Sequence, residues 1–318
     1  MQEGFTKSMS IFAPIASIIK KALKKTLQIN GFELRKVQCT KITENKIPPL
    51  YEELSLALYE TRGGKLSSFM CPVEKIVDFA GFGFGKKKWH PFVEMIKVLE
   101  KSGEMAAKKY LEEFYLIHQP HSAAKAFLDF TEAPSSFNDL PPHMFNLIPW
   151  TALNSEEVSL LVERWVKADN AEHGIATIDL TTGGFPTYGP VSKEKQTVEF
   201  NRLMKIRDSI IKKGYDRKYG DCSFVVLKRG NDYRYIVEGG GYHRVAVLSA
   251  IGFDWIPGRI HPAPFVIDTE EVQNWPQVRL GVWSKKQALA YVDYLFDYNS
   301  KYFRLKNFKF SYEDVASN

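Results

Sequence analysis

Residues 222–260 read CSFVVLKRGNDYRYIVEGGGYHRVAVLSAIGFDWIPGRI, and this stretch decides the fold prediction. The runs CSFVVL and YRYIV are rich in β-branched and aromatic residues and flank the turn sequence KRGND, which predicts a β-hairpin. Three consecutive glycines at 239–241 follow the second strand. Aliphatic residues at helical spacing then predict a helix over about 243–251 that stops at Gly252, and IPGRI predicts a further short strand.

The glycine run lies directly before the predicted helix, where backbone N–H groups lack helical partners and the helix dipole is positive. Glycine permits positive φ and the close approach of an anion, and phosphate commonly binds at such helix starts. Arg244 can hold two phosphate oxygens, while His243 can donate to phosphate or act as an acid or base near neutral pH. Because cations in a first turn oppose the dipole when no anion is present, the pattern favours a phosphate site over a simple tight turn.

The composition excludes several classes of protein. Of the 318 residues, 44% are hydrophobic and 25% are charged, which is typical of a soluble globular chain and not of a disordered one. The net charge of +6 fits an anionic ligand but is too small to indicate nucleic acid by itself. The three cysteines form no CxxC pair, so we expect no disulfide framework and a cytoplasmic location.

Outside the quoted stretch the chain is mostly helix-prone, which predicts an α+β unit embedded in a mostly helical chain. Residues 89–119 predict two helices broken near Gly103. GIATIDL at 174–180 predicts a strand, and residues 193–213 predict a long helix ended by Gly214. Isoleucines and lysines within 9–28 fall on opposite helical faces, so this segment is expected either to dock on the protein itself or to lie on a membrane surface. Four segments are expected: a basic amphipathic N-terminal segment (1–45), a mostly helical accessory region (46–173), the α+β domain (174–264) and a helical C-terminal extension (265–318).

Two other motifs are candidates for a phosphate-binding loop and for a metal site. GFGFGKKKWH at 81–90 is not a Walker A loop, because Lys87 stands where Ser or Thr is required, and we expect a mobile basic loop there. His118 and His121 are separated by Pro120, which breaks the helix that would align them, so we assign no metal ligands.

The stretch VVLKRGNDYRYIVEGGGYHRVAVLSAIGFDWIPGRI resembles the core of the ParB/sulfiredoxin superfamily, over less than a third of the chain. In sulfiredoxins a strand, a turn and a strand lead into Gly-Gly-Cys-His-Arg, a helix and an Ile-Pro strand, and the free-serine kinases of the superfamily have a similar Gly-x-His-Arg box. Tyr242 replaces the sulfiredoxin cysteine, and the arginine-rich ParB box is absent. The resemblance therefore implies a nucleotide site without sulfinic-acid reduction or ParB-type DNA partitioning. The matching box consists of Gly240, Gly241, Tyr242, His243 and Arg244.

The resemblance implies that ATP or another nucleotide binds at this box together with Mg²⁺, and that the preceding helix contributes to the site. Arg202, Lys205 and Ser209 have the spacing of the superfamily's helix donors, although these side chains could equally be solvated. The loop before that helix faces the nucleotide in the resembling fold. Candidates for contact with the second substrate there are Tyr188, Ser192 and Lys193, and Ser192 could instead be only a helix N-cap.

These residues predict a kinase or NTPase, that is, an ATP-dependent phosphotransferase acting on a small molecule or a glycan. His243 is a catalytic candidate, and Asp179 or Glu238 could be a general base or a Mg²⁺ ligand, or could instead cap a helix or pair with an arginine. The alternative is a ParB-like nucleic-acid-binding protein or nuclease with a nucleotide-gated switch, which requires a basic face joining 86–88 to 212–218. A third hypothesis is that the chain is a peripheral membrane protein with a regulatory nucleotide site.

Overall fold

The computed structural model describes residues 47–262, 264 and 266–308. The chain divides into two units, residues 1–46 and residues 47–318, and only the second is described below. The amphipathic segment predicted at 9–28 therefore lies outside the described residues. Within the described part of the chain, no helix is both long and apolar enough to cross a membrane.

A seven-stranded mixed sheet has the opening sequence stretch at its centre. β4 (Cys222–Arg229) and β5 (Asp232–Val237) form the predicted antiparallel hairpin, and β6 (Trp255–Ile260) runs parallel to β4. The other strands are β1 (Leu50–Tyr51), β2 (Ser68–Pro72), β3 (Ile76–Val77) and β7 (Val266–Asp268). The strand order is β1-β2-β6-β4-β5-β3. β6 pairs with the first half of β4, and β7 pairs with its second half.

The sheet draws on more of the chain than the sequence pattern indicated. β1, β2 and β3 come from the region predicted to be a helical accessory, and β7 comes from the predicted C-terminal extension. The mixed arrangement of helices around a small sheet agrees with the α+β expectation. The prediction of a strand at 174–180 is wrong, because these residues form turns. In these turns the Asp179 carboxylate accepts from the backbone N–H of Thr181 (2.9 Å) and of Thr182 (3.0 Å).

Four of the described helices begin at a residue whose side chain caps the first turn. Asn154 and Glu157 form a capping box at the start of α4 (Ser155–Glu172), and Ser192 accepts from the Lys195 N–H at the start of α5 (Lys193–Lys213). The predicted break at Gly103 is a kink with φ of +82° inside α2 (Pro91–Ile117). The helices are α1 (Leu54–Arg62), α2 (Pro91–Ile117), α3 (Ala123–Ala126), α4 (Ser155–Glu172), α5 (Lys193–Lys213), α6 (Tyr242–Ala250), α7 (Pro276–Arg279), α8 (Lys285–Asp297) and α9 (Lys301–Asn307).

The segment GFGFGKKKWH contributes to the core and not to a basic surface loop. Phe82 and Phe84 are 1% and 0% exposed, and Phe84 stacks on the His90 ring with centroids 4.2 Å apart. Of its three lysines, Lys86 and Lys87 are exposed and Lys88 is partly buried. The alternating glycines let the chain pass tightly between packed side chains, so the apolar residues decide the position of this segment.

The two faces of the sheet differ at the beginning of β4. On one face Phe224 packs against Phe69 and Tyr235, with ring centroids 6.5 and 6.4 Å apart, and the start of α6 lies against Cys222. Side chains alternate along a strand, so Ser223 points to the opposite face. Farther along β4 the side chains on that face, Val225 and Leu227, are apolar and buried. At this end, beside the glycine run, the face carries the polar Ser223.

Candidate functional site

The glycine run forms the loop between β5 and α6, and each of its residues has a backbone conformation that favours glycine. The φ angles of Gly239, Gly240 and Gly241 are +73°, +129° and +98°. A Cβ on Gly241 would lie 2.9 Å from the Cα of Cys222, whereas a Cβ on Gly240 would meet nothing within 4 Å. Gly239 and Gly240 are exposed. The loop is therefore open to solvent on one side and tightly packed on the other.

The first turn of α6 begins with Tyr242, whose side chain is engaged by the protein. The Nδ1 atom of His90 accepts from the Phe92 N–H at 3.1 Å, so the neutral ring carries its proton on Nε2. This Nε2 donates to the Tyr242 hydroxyl at 2.8 Å, which in turn donates to Asp78 at 2.7 Å. Burial lowers the pKa of His90 and raises the pKa of Asp78 to about 6. The relay fixes the start of α6.

Arg244 and His243 also have partners within the protein. The Nη1 of Arg244 donates to the carbonyl oxygens of Gly220 and Tyr219, which ties the helix start to the loop before β4. The Nε2 of His243 is hydrogen-bonded to the Glu199 carboxylate, and its ring stacks on Phe92 with centroids 5.5 Å apart. Both side chains are partly exposed, so each still has a surface at the loop.

Glu199 is the centre of a buried ionic network, which we call the closed cluster: Asp169, Lys195, Glu199, Arg202 and His243. Lys195 and Glu199 are both 0% exposed and lie 2.8 Å apart. Asp169 pairs with Lys195 at 2.7 Å and with Arg202 at 3.2 Å. Burial by itself would raise the pKa of Glu199, but interactions with His243, Lys195 and Arg202 outweigh burial and hold the pKa well below the ordinary value. The two carboxylates of this cluster are thus paired with a lysine and an arginine of the protein itself.

A second polar group, which we call the open cluster, consists of Ser223, Glu238 and Arg259. Ser223 and Arg259 are directly paired in the parallel strands β4 and β6, and the Glu238 N–H donates to the Ser223 carbonyl at 3.0 Å. Paired residues on neighbouring strands share a face, so these three side chains lie in a row. A Cβ on Gly239 would lie 3.6 Å from the Ser223 Oγ and 3.2 Å from His261, which places the row directly beside the glycine loop.

The open cluster differs from the closed one because two of its buried polar atoms have no hydrogen-bond partner in the part of the chain that the structure describes. Ser223 is 1% exposed, and its Oγ has no hydrogen-bond partner among the residues that the structure describes. The same holds for the buried Nε of Arg259. Burial raises the pKa of Glu238 to about 7. A carboxyl group with this pKa can exchange a proton near neutral pH.

The structure places the predicted nucleoside-binding residues in two environments. Arg202 belongs to the closed cluster, while Lys205 and Ser209 are exposed along α5. Asp179 lies in an exposed turn, and hydrogen bonds from Thr181 and Thr182 lower its pKa. Asp179 is thus a turn residue, and Glu238 is the better placed of the two carboxylates that the sequence left unranked.

The three candidates for the second substrate are not brought together as a site. Tyr188 is 8% exposed and packs among aromatic rings, with Phe185 at 4.8 Å between centroids. Ser192 is the N-cap of α5, and Lys193 is exposed. Sequence reasoning did not single out Ser223 and Arg259. A serine inside the otherwise apolar run CSFVVL was the available signal for the first of them.

In comparisons with known proteins, no family model, no curated protein and no solved structure matches the chain. The functional argument therefore depends on the geometry of the glycine loop and of the side chains beside it.

Proposed function

We propose that this chain is a nucleotide-dependent phosphotransferase, with ATP as the expected donor and a small molecule or a glycan as the acceptor. The observation that carries the proposal is the loop 239–241, in which three residues with positive φ lie before the nine-residue helix α6. The order β4, β5, glycine loop, α6 and β6 is also the order that the ParB/sulfiredoxin resemblance implies, and it supports the proposal.

The loop suits phosphate on three counts. It is exposed at Gly239 and Gly240, so an anion can approach the backbone closely. The positive end of the α6 dipole stabilises negative charge there. Arg244 follows in the first helical turn, and the groups that it contacts, two backbone carbonyl oxygens and the Tyr215 hydroxyl, are neutral. Phosphates of the nucleotide would therefore lie across the loop, towards Arg244.

Glu238 supplies the acid–base function in this proposal. Its carboxylate takes the proton of an acceptor hydroxyl, the hydroxyl oxygen forms a bond to the terminal phosphorus, and the bond from that phosphorus to the bridging oxygen breaks. The electron pair leaves with the nucleoside diphosphate. A pKa of about 7 suits this role, because the group is partly ionised at neutral pH and still holds a proton well.

The residues present fit an anion better than a resident metal ion. No group of three or more His, Cys, Asp or Glu side chains that could hold a metal is found within the described ranges. Mg²⁺ would be held mainly by the phosphate oxygens of the nucleotide. When bound, it neutralises the charge on the transferred phosphoryl group.

The nucleic-acid alternative gains no specific support from the surface. It requires a continuous basic face joining residues 86–88 to 212–218. Lys86 is paired with Asp254 at 2.6 Å, and Lys218 is paired with Asp216 at 2.6 Å. Acidic neighbours at both ends reduce the positive potential that such a face needs.

The test is thermal unfolding in the presence of ATP, ADP, CTP or GTP, each with and without Mg²⁺. A ligand that binds only the folded state raises Tm by mass action. The key variant is Gly240→Ala, because a Cβ there has open space but intrudes on the path of the anion and disfavours a φ of +129°. Gly252→Ala is the matched control, since Gly252 has a φ of +98°, open space around it and a position at the other end of α6.

We expect one nucleotide to raise Tm in the wild type and in Gly252→Ala, and to have little effect in Gly240→Ala. Absence of any shift in the wild type at millimolar nucleotide would overturn the proposal. So would an equal shift in all three proteins, because the nucleotide would then bind elsewhere.

A further inference from the structure

The row Ser223, Glu238 and Arg259 contains more hydrogen-bonding capacity than the protein uses. Buried polar groups in folded proteins almost always have partners, because an unpaired one loses its water without compensation. The Oγ of Ser223 and the Nε of Arg259 are both buried, and neither has a partner in residues 47–308 as the structure describes them. The two residues are neighbours on paired strands, so both side chains lie on the same face of the sheet.

The order of the row constrains what could fill it. Ser223 lies on β4, with Arg259 on β6 at one side and Glu238 at the end of β5 on the other. Neighbouring strands are about 4.8 Å apart, so the backbones of Arg259 and Glu238 are separated by roughly 10 Å. Arg259 is always positively charged, and its guanidinium suits a carboxylate or a phosphate. Ionised Glu238 accepts hydrogen bonds only, and Ser223 can both donate and accept.

We infer that Ser223, Glu238 and Arg259 form the acceptor subsite and that the acceptor is a small anion carrying a hydroxyl group. The anionic group binds the Arg259 guanidinium, Ser223 bonds to the middle of the molecule, and the hydroxyl donates to Glu238. This inference rests on the proposed phosphotransferase function and names its substrate class.

The position of the subsite agrees with transfer from the glycine loop. The Ser223 N–H donates to the Gly240 carbonyl at 3.1 Å, and its Oγ lies beside Gly239. Glu238 directly precedes the loop in the chain. A hydroxyl held by Glu238 therefore lies next to phosphates held by the loop, with its proton directed to the carboxylate and its oxygen free to attack phosphorus.

The experiment measures acceptor binding without nucleotide, so that its failure is distinct from failure of the proposed function. Four probes are used: glycerol 3-phosphate and glycerate, which carry both groups, inorganic phosphate, which lacks a carbon-bound hydroxyl, and glycerol, which lacks the anion. Binding is followed by thermal unfolding and isothermal titration calorimetry on the full chain. The variants are Ser223→Ala and Arg259→Gln, and Arg164→Gln, an exposed arginine on α4, is the matched control.

We expect glycerol 3-phosphate or glycerate to bind more tightly than both inorganic phosphate and glycerol. Arg259→Gln should weaken that binding at least tenfold, and Ser223→Ala should weaken it severalfold while raising the Tm of the ligand-free protein. Arg164→Gln should leave binding unchanged. Which of the two probes binds also distinguishes a phosphate from a carboxylate as the anionic group.

Three results would overturn the inference: no binding of either hydroxylated anion at millimolar concentration, equal affinity in the wild type and Ser223→Ala, or phosphate alone binding as tightly as glycerol 3-phosphate. Ser223→Ala removes only one oxygen and keeps the inference testable if Arg259→Gln does not fold. If nucleotides fail to bind but the hydroxylated anion binds, the subsite stands and the phosphotransferase proposal does not.

Discussion

The closed cluster around Glu199 and the open cluster around Ser223 lie on the two sides of one glycine loop. They differ in whether their polar groups are paired with one another. In the closed cluster each ionic group contacts an opposite charge, and Lys195 and Glu199 are fully buried. In the open cluster the Ser223 Oγ and the Arg259 Nε are buried, and neither has a hydrogen-bond partner among the described residues. Polar residues that satisfy one another stabilise a fold, whereas those that do not are available to a ligand.

The largest expected effect comes from breaking the closed cluster with Glu199→Gln. The change leaves the buried Lys195 ammonium with Asp169 alone and deprives His243 of its carboxylate. Removing one partner of a buried pair typically costs about 3–5 kcal/mol, so we expect a loss of roughly 3 kcal/mol in the free energy of unfolding. Urea denaturation measures it.

The control for this change is Glu104→Gln, because Glu104 pairs with Lys108 in the open on α2. Such an exposed pair should contribute under about 0.5 kcal/mol. A loss below about 1 kcal/mol in Glu199→Gln would show that the closed cluster is not the structural element that its contacts indicate.

The second effect contrasts the two glutamates as pH changes. The folded pKa of Glu238 lies above its ordinary value of 4.5, at about 7, so the folded state binds the proton more tightly than the unfolded state. Stability from this group is therefore present below pH 4.5 and is lost as pH rises to about 7. Glu199 has a depressed pKa, so its contribution is present above its ordinary value and lost as pH falls.

Glu238→Gln should therefore gain stability relative to the wild type as pH rises from 5 to 8, by on the order of 2 kcal/mol. Thermal unfolding of both proteins across this pH range measures the difference. A difference that stays constant would mean that Glu238 is ionised throughout and that the open cluster is less desolvated than its geometry indicates.

The third effect separates two buried serines. The Ser249 Oγ donates to the Phe84 carbonyl, whereas the Ser223 Oγ has no partner in the described part of the chain. Ser249→Ala should lose about 1 kcal/mol, and Ser223→Ala should gain about 0.5–1 kcal/mol in the ligand-free protein. Chemical denaturation of the two variants tests the contrast, and a loss in both would place Ser223 with the structural residues.

The smallest effect concerns Lys205, which is exposed on α5. Lys205→Ala should change stability by less than about 0.5 kcal/mol. If the residue contacts the nucleotide, as the helix spacing predicts, nucleotide affinity should fall severalfold, and calorimetric titration measures it. Unchanged affinity would limit the nucleotide site to the loop and α6.

Local features were predictable from the sequence because their causes are local. The β4–β5 hairpin, the start of α6 and the kink at Gly103 follow from turn residues and periodicity within a few positions. The strand at 174–180 was not formed, because the Asp179 side chain satisfies neighbouring backbone N–H groups and stabilises a turn instead.

Features that depend on distant parts of the chain were not predictable in this way. β1 and β3 have two residues each, too few to show an alternating pattern. Ser223 and Arg259 come together only through the pairing of β4 with β6. Arg202 has the spacing of a nucleotide contact, but Asp169 on another helix competes for it, and no local rule shows that pairing.

The pairing of β2 with β6 has a consequence for how the protein is made. Ser68 pairs with Arg259, so the sheet joins positions separated by more than half of the chain. Contacts between such distant positions slow folding, because the loop must close before the contact stabilises it. On the ribosome, β2 cannot pair with β6 until residues 255–260 have emerged. Until that point its unpaired edge is a site for aggregation or for a chaperone.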